Sequence, residues 1–301
     1  MQPIMLDFLF GATCDKCNRP TMLQSISFRD YFFGEGIECR FCEEKINLYR
    51  MYVNTIKENF MLNDAYKCIG AKQNVFTIEL TPEEIFNLDF TDYGIPVDAE
   101  ILQVNYFPQG GALFPNEFHG NTPQFKKYYQ NKINLYPAKM NLEKKQEVEN
   151  TKVSVSVTWI HTHADNHAFS NLITTFENYV RGYYKRSIIP ANVVVEERLE
   201  KYMMKKLMQS VSKNRINRFL MNGATYSHQI NVLLPTILNY ENKEMLSDQI
   251  RGKLNELRKL RNQIAHEGRS SSELTKSRCA ELICASLFGY VFINILLEDL
   301  D

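Results

Sequence analysis

Two sets of residues in this 301-residue chain have the types and spacing to do chemistry. The first is Arg261, Asn262 and His266, inside Arg261-Asn262-Gln263-Ile264-Ala265-His266. An imidazole gives or takes a proton near neutral pH, a guanidinium holds developing negative charge, and an amide orients either partner. The second is Cys14-Asp15-Lys16-Cys17 with Cys39-Arg40-Phe41-Cys42, two C-x-x-C pairs around a 21-residue insert. Four thiolates at this spacing make a closed tetrahedral site for one structural zinc per chain, with no open position for catalysis.

Each set needs elements to position it. Leu246, Ile250, Leu254, Leu257, Leu260 and Ile264 fall within about 120° on a helix spanning 243–266, so this helix packs one face into a core. Arg261 falls inside that arc, where a guanidinium must meet an anion or reach water. Lys253 shares the face and can extend its amine outward. His266 lies about 140° around from Arg261, in the last turn before the expected stop at Gly268. The two side chains therefore converge only if that turn relaxes or a second helix completes the site.

The sequence predicts an α+β protein in three parts. Residues 1–65 read as a zinc ribbon followed by a docking helix carrying Ile46, Tyr49, Val53, Ile56 and Phe60 on one face. Residues 66–162 read as a β-rich domain: Val75–Leu80, Ile101–Phe107 and Leu113–Phe118 are short apolar runs separated by Gly and Pro. Val153, Val155, Val157 and Trp159 alternate with Ser and Thr, predicting a half-buried strand, and Met140–Asn150 reads as a polar loop or short helix before it. Residues 163–301 read as an all-helical bundle, with helices near 166–185, 192–212, 225–240, 243–266 and 272–298, and breaks at Pro190, Asn222-Gly223 and 268–271. The last helix is apolar on nearly every face from Leu282 to Leu297, which predicts the most buried position.

The hydrophobic share of 44% is enough for real cores, and zero net charge excludes a strongly charged class. Over residues 170–301 there are 19 Lys and Arg against 14 Asp and Glu, with 16 against 21 in the rest, so an anionic partner is expected at the C-terminal part. Lys205, Lys206, Lys213, Arg215 and Arg218, at the expected end of the second bundle helix, and Arg258 and Lys259, beside the motif, are the phosphate-contacting candidates. Lys16, Arg19 and Arg40 offer the ribbon a smaller basic surface. No signal pattern and no run of eighteen apolar residues is seen, so the expectation is a cytoplasmic protein without a membrane partner. Cys68, Cys279 and Cys284 read as packing residues.

Leu260-Arg261-Asn262 leading into Ala265-His266, with Phe176-Glu177-Asn178-Tyr179 in the first bundle helix and the buried last helix, resembles the HEPN superfamily over residues 166–300. The resemblance implies a metal-independent endoribonuclease working across a homodimer. His266 would be the general acid or base, Arg261 would stabilise the phosphorane and Asn262 would orient them. A sensing module before such a domain resembles Apea-like, anti-phage abortive-infection proteins. That likeness implies a trigger bound by residues 1–160 and cellular RNA such as tRNA as target. The same motif occurs in HEPN-like scaffolds without nuclease activity, leaving the alternative of a binding protein whose ribbon and β-domain recognise nucleic acid or a partner. Trp159-Ile160-His161-Thr162-His163 resembles the His-x-His element of JAMM metalloproteases. Asn171 and Thr174 stand where that pattern needs Ser and Asp, so His161, His163 and His167 are expected at the entry to the bundle, with Asp165 or Asn166 as its N-cap.

Overall fold

The computed structural model describes residues 5–6, 12–14, 16–17, 19–21, 26–34, 36–58, 62–82, 84–109, 132–135, 140–141, 146–147, 151–161, 167–267 and 274–300. Leu113–Phe118, most of the Met140–Asn150 segment, His163, Asp165, Asn166 and Gly268 lie outside the described residues. The protein is a mixture of helix and sheet with the cysteine cluster at its N-terminal end.

The chain begins with short pairings: β1 (Met5–Leu6) with β4 (Ile26–Ser27), and β2 (Ala12–Thr13) with β3 (Pro20–Thr21). Helix α1 (Phe28–Phe33) follows, and beyond the second cysteine pair comes α2 (Leu48–Glu58). Tyr49, Val53 and Ile56 are buried on the face of α2 that their spacing predicts, while Phe60 lies outside the described residues.

A second stretch holds α3 (Leu62–Lys67), β5 (Lys72–Leu80), β6 (Phe86–Asp89), β7 (Ala99–Gln109), β8 (Lys132–Leu135), β9 (Met140–Asn141), β10 (Gln146–Glu147) and β11 (Thr151–His161). The antiparallel sheet has the order β5-β11-β7, with a register shift between Thr158 and Trp159, and β6 pairs with β8. Val153, Val155, Val157 and Trp159 enter a core with Ile78, Leu80, Leu88, Phe90 and Ile133. The alternation of β11 predicts one wet face, but Ser156 and Thr158 are also buried. As the middle strand, β11 is flanked on that face by amide side chains, and Gln73 donates to Ser156 Oγ at 2.5 Å. Ser156 is tolerated there because Gln73 satisfies its hydroxyl, whereas the buried Thr158 Oγ1 has no hydrogen-bond partner among the described residues.

The remaining elements are α4 (His167–Val180), α5 (Tyr184–Leu207), α6 (Lys213–Asn222), α7 (Tyr226–His228), α8 (Leu234–Tyr240), α9 (Asp248–Glu267) and α10 (Lys276–Glu298). The expected break at Pro190 is absent: α5 runs through it, and the break falls at Gly182, φ 78°. There Tyr183 N–H bonds Asn178 O at 2.8 Å and Gly182 N–H bonds Tyr179 O at 3.0 Å, a Schellman ending that a residue without Cβ adopts freely. Pro190 removes only one backbone bond from a helix held by tertiary packing. An unexpected helix, α6, occupies 213–222, so Lys213, Arg215 and Arg218 stand on it and only Lys205 and Lys206 end α5. Between α7 and α8 the helix passes through one π turn, Gln229–Leu233.

Where the sequence suggests three consecutive parts, the chain forms two compact units: Met1–Glu58 with Asn166–Asp301, and Asn59–Asp165. The ribbon segment therefore belongs to the helical unit, joined to it through α10. Phe288 is fully buried, with Phe28, Tyr31, Phe32, Tyr49 and Tyr52 around it at centroid distances of 5.5, 6.0, 6.0, 5.6 and 5.5 Å. All five contacts are edge-on, the geometry that ring quadrupoles favour, and Tyr49 Oη also donates to Glu281 O at 2.8 Å. By length and composition α10 is the one described helix apolar enough to cross a membrane, and here protein takes up its apolar surface. Gly289 makes this approach close: a Cβ there would stand 3.2 Å from Leu254 and 3.4 Å from Val195.

Candidate functional site

The apolar stripe of α9 is buried at Leu246, Ile250, Leu254, Leu257 and Leu260. Beyond Leu260 it surfaces: Arg261, Asn262 and Ile264 are half-buried, and Ala265 and His266 are exposed. The position of Arg261 on the stripe is thus resolved by the helix leaving its core. Its Nη1 donates to Asn262 Oδ1 at 3.0 Å, so the two are joined, while His266 stands apart on the exposed last turn.

Lys253 is explained differently. Its Nζ lies 3.2 Å from Glu256 and 2.6 Å from Glu281, and Arg278 Nε reaches Glu256 at 2.7 Å, so four charges tie α9 to α10. Burial raises the Glu256 pKa, but hydrogen bonds from Arg278 and Lys253 outweigh it and hold the carboxyl below its ordinary value.

The other edge of α9 carries polar residues that motif reading missed. Asn255 and Asn231 exchange side-chain hydrogen bonds at 2.9 and 3.0 Å, joining α9 to the π turn. Asn192 of α5 is buried and donates to Glu196 at 3.1 Å. The buried Tyr226 hydroxyl feels both Glu196 and Arg258: burial, then Glu196, push its pKa up against Arg258. The only sequence signal for this group was Asn192 amid the apolar residues of α5.

Among the expected phosphate contacts, Arg258 is half-buried with its Nε enclosed, and Lys206 forms an ion pair with Glu241. Lys205 is half-buried on α5. Lys213, Arg215, Arg218 and Lys259 are exposed.

The four cysteines of the ribbon meet. Their Sγ atoms all lie within 4.8 Å of one another, with Cys14 and Cys42 at 3.5 Å and Cys17 and Cys39 at 3.7 Å. Four sulfurs about 2.3 Å from one ion at tetrahedral angles stand about 3.8 Å apart, so the cluster can hold a metal ion of that size. Two tight turns present them: Cys14 N–H bonds Arg19 O at 3.1 Å, and Cys39 N–H bonds Glu44 O at 2.8 Å. Lys16 joins the turns through Glu44 at 2.9 Å. Arg19 and Arg40 lie 5.2 and 4.8 Å from the centroid of the partly exposed Phe41 ring.

His161, at the end of β11, is exposed and stacks edge-on with Trp159 at 5.0 Å, while His167 opens α4. Among the described residues, the four cysteines are the only group of three or more His, Cys, Asp or Glu placed to share a metal. Comparison with models of known protein families, with curated proteins and with solved structures found no match to this chain.

Proposed function

We propose that the chain is a HEPN-type endoribonuclease that cuts RNA without a catalytic metal. One observation carries this reading. The stripe of α9 is buried as far as Leu260 and then emerges with Arg261 joined to Asn262 and with His266 exposed, among the helices that follow residue 166. A motif needed only to crosslink helices would have its polar groups tied to a neighbouring helix, as Lys253 and Glu256 are tied to Glu281 and Arg278 of α10.

In the proposed reaction the ribose 2′-oxygen attacks the adjacent phosphorus, the bond to the 5′-oxygen breaks, and a cyclic phosphate and a 5′-hydroxyl result. One proton leaves the 2′-hydroxyl and one reaches the departing oxygen, so a base and an acid are both needed. Each chain offers one His266, and two copies in a homodimer supply both roles. The half-buried Ile264 gives that contact an apolar centre. Arg261 holds the phosphorane charge, and Asn262 fixes its guanidinium.

Zinc is the ion proposed for Cys14, Cys17, Cys39 and Cys42. Its work there is structural: it closes the segment that α1 and α2 dock onto α10. An anti-phage or abortive-infection role, with a trigger acting through residues 1–160 and tRNA or other cellular RNA as target, follows the same resemblance. So does a cytoplasmic setting.

The test is cleavage of total RNA and tRNA by the purified dimer, with end-group analysis for cyclic phosphate. His266→Ala and Arg261→Ala should each lower cleavage about 10²-fold or more while circular dichroism stays unchanged, and should relieve toxicity on expression. A wild-type dimer that cuts no RNA and does not slow growth would refute the nuclease and leave the scaffold reading.

A further inference from the structure

The surface from α5 to α8 has an unusual charge pattern. Residues 201–240 contain six Lys or Arg and no Asp or Glu. Such a stretch attracts a polyanion, and its most exposed element is α6.

On α6, at 100° per residue, Arg215, Arg218, Phe219 and Asn222 fall within about 100° of one another, and all four are exposed. Ile216 and Leu220 are buried on the opposite side, so this face is not the one the helix uses to pack. Among the described residues neither Arg215 nor Arg218 makes an ion pair, unlike Lys206, which is held by Glu241.

Phe219 is the feature that selects among polyanions. Its side chain is 45% exposed although aromatic residues usually bury more, and one side of the ring is supported. A methyl group at Gly223 would stand 3.4 Å from Phe219 Cδ2 and 3.7 Å from Cε2, so the ring lies along backbone left bare by glycine. A supported aromatic plane on the same helix face as two guanidinium groups suits an unpaired base, which stacks on the ring while the arginines take neighbouring phosphates. A duplex keeps its bases stacked inside and gains nothing from the ring. An anionic lipid surface would draw on the same cations, so the experiment must separate the two.

We infer that the α6 face formed by Arg215, Arg218, Phe219 and Asn222 binds single-stranded RNA. The inference deepens the ribonuclease reading by naming the form of RNA that reaches the site, and it is tested without cleavage. The probe is a fluorescent 2′-O-methyl uridine oligonucleotide of about 12 nucleotides, which has no 2′-hydroxyl to attack and falls in the usual site-size range. Anisotropy is read with the full chain over a salt series. Binding should exceed that of a duplex of equal length, and Phe219→Ala should weaken it about tenfold with the salt slope unchanged. Phe219→Trp should restore it. Arg215→Ala with Arg218→Ala should lower the slope by about 1.4, two phosphates' worth on a single strand.

The inference falls if Phe219→Ala binds within twofold of wild type, or if the oligonucleotide is ignored while phosphatidylserine vesicles sediment the chain. Cleavage separates the two proposals. Oligonucleotide binding that depends on Phe219, in a protein that never cuts RNA, removes the nuclease and keeps the surface. Undiminished cutting by the Phe219 and arginine variants removes the surface and keeps the nuclease.

Discussion

Replacing Phe288 by alanine should damage the ribbon segment and the helical bundle together, because one side chain holds both. Phe288 is fully buried and five rings from α1 and α2 surround it within 6.0 Å. Truncating a buried Phe costs about 3–5 kcal/mol, and the upper part of that range applies where the surroundings cannot collapse. Rigid aromatic planes, all five held edge-on, collapse poorly, so a cost of about 4 kcal/mol is expected. For a chain of this size each kcal/mol moves the melting temperature about 2–4 °C, which gives a fall of roughly 8–16 °C. Phe288→Leu, which keeps much of the volume, should lose less than half as much. Tyr240→Ala, at a side chain 89% exposed, should change stability by no more than about 0.5 kcal/mol and serves as control. The assay is calorimetry with far-ultraviolet circular dichroism, beside metal content after gel filtration. A fall below about 3 °C would refute the reasoning. So would loss of metal while the helices melt unchanged, because the ribbon would then be an appendage and not part of the helical unit.

The remaining predictions concern the metal and pH. The protein should carry about one zinc per chain, and chelation or Cys39→Ser should lower the melting temperature of the helical transition and expose residues 1–58 to protease. A melting curve indifferent to chelator would remove the structural role. Asp299 should confer acid sensitivity alongside Glu256. Burial raises its pKa, but Lys243 at 2.7 Å and Arg29 at 2.6 Å outweigh that and hold it below the ordinary value. Folded pKa values depressed in this way contribute stability that is complete above the unfolded values near 4 and is lost as pH falls through the lower folded values. Melting temperature should therefore be level down to about pH 5 and drop below 4, and Glu256→Gln should be less stable at neutrality with a shallower acid loss. An unchanged acid profile in that variant would show that its pairs with Lys253 and Arg278 contribute nothing.

The sequence by itself determined what local chemistry dictates. The C-x-x-C pairs specified a metal-sized cluster because short turns bring such cysteines together almost regardless of what surrounds them. The 3.6-residue period of α9 and the apolar run of α10 foretold which faces are buried, since burial follows side-chain spacing once a helix forms. Only the tertiary structure decided the rest. That Pro190 lies inside α5 while Gly182 breaks the chain depended on a left-handed residue satisfying helix-end carbonyls, and composition does not show which turn signal prevails. That the first 58 residues join the last helices depended on contacts of Phe28 and Tyr49 with Phe288, more than two hundred residues further along the chain. The same holds for the motif. Spacing put Arg261 on the apolar stripe, but where that stripe leaves its core is set by the length of the neighbouring helices. At the end of α9 Arg261 is half-buried and His266 exposed, which the spacing of the motif alone does not show.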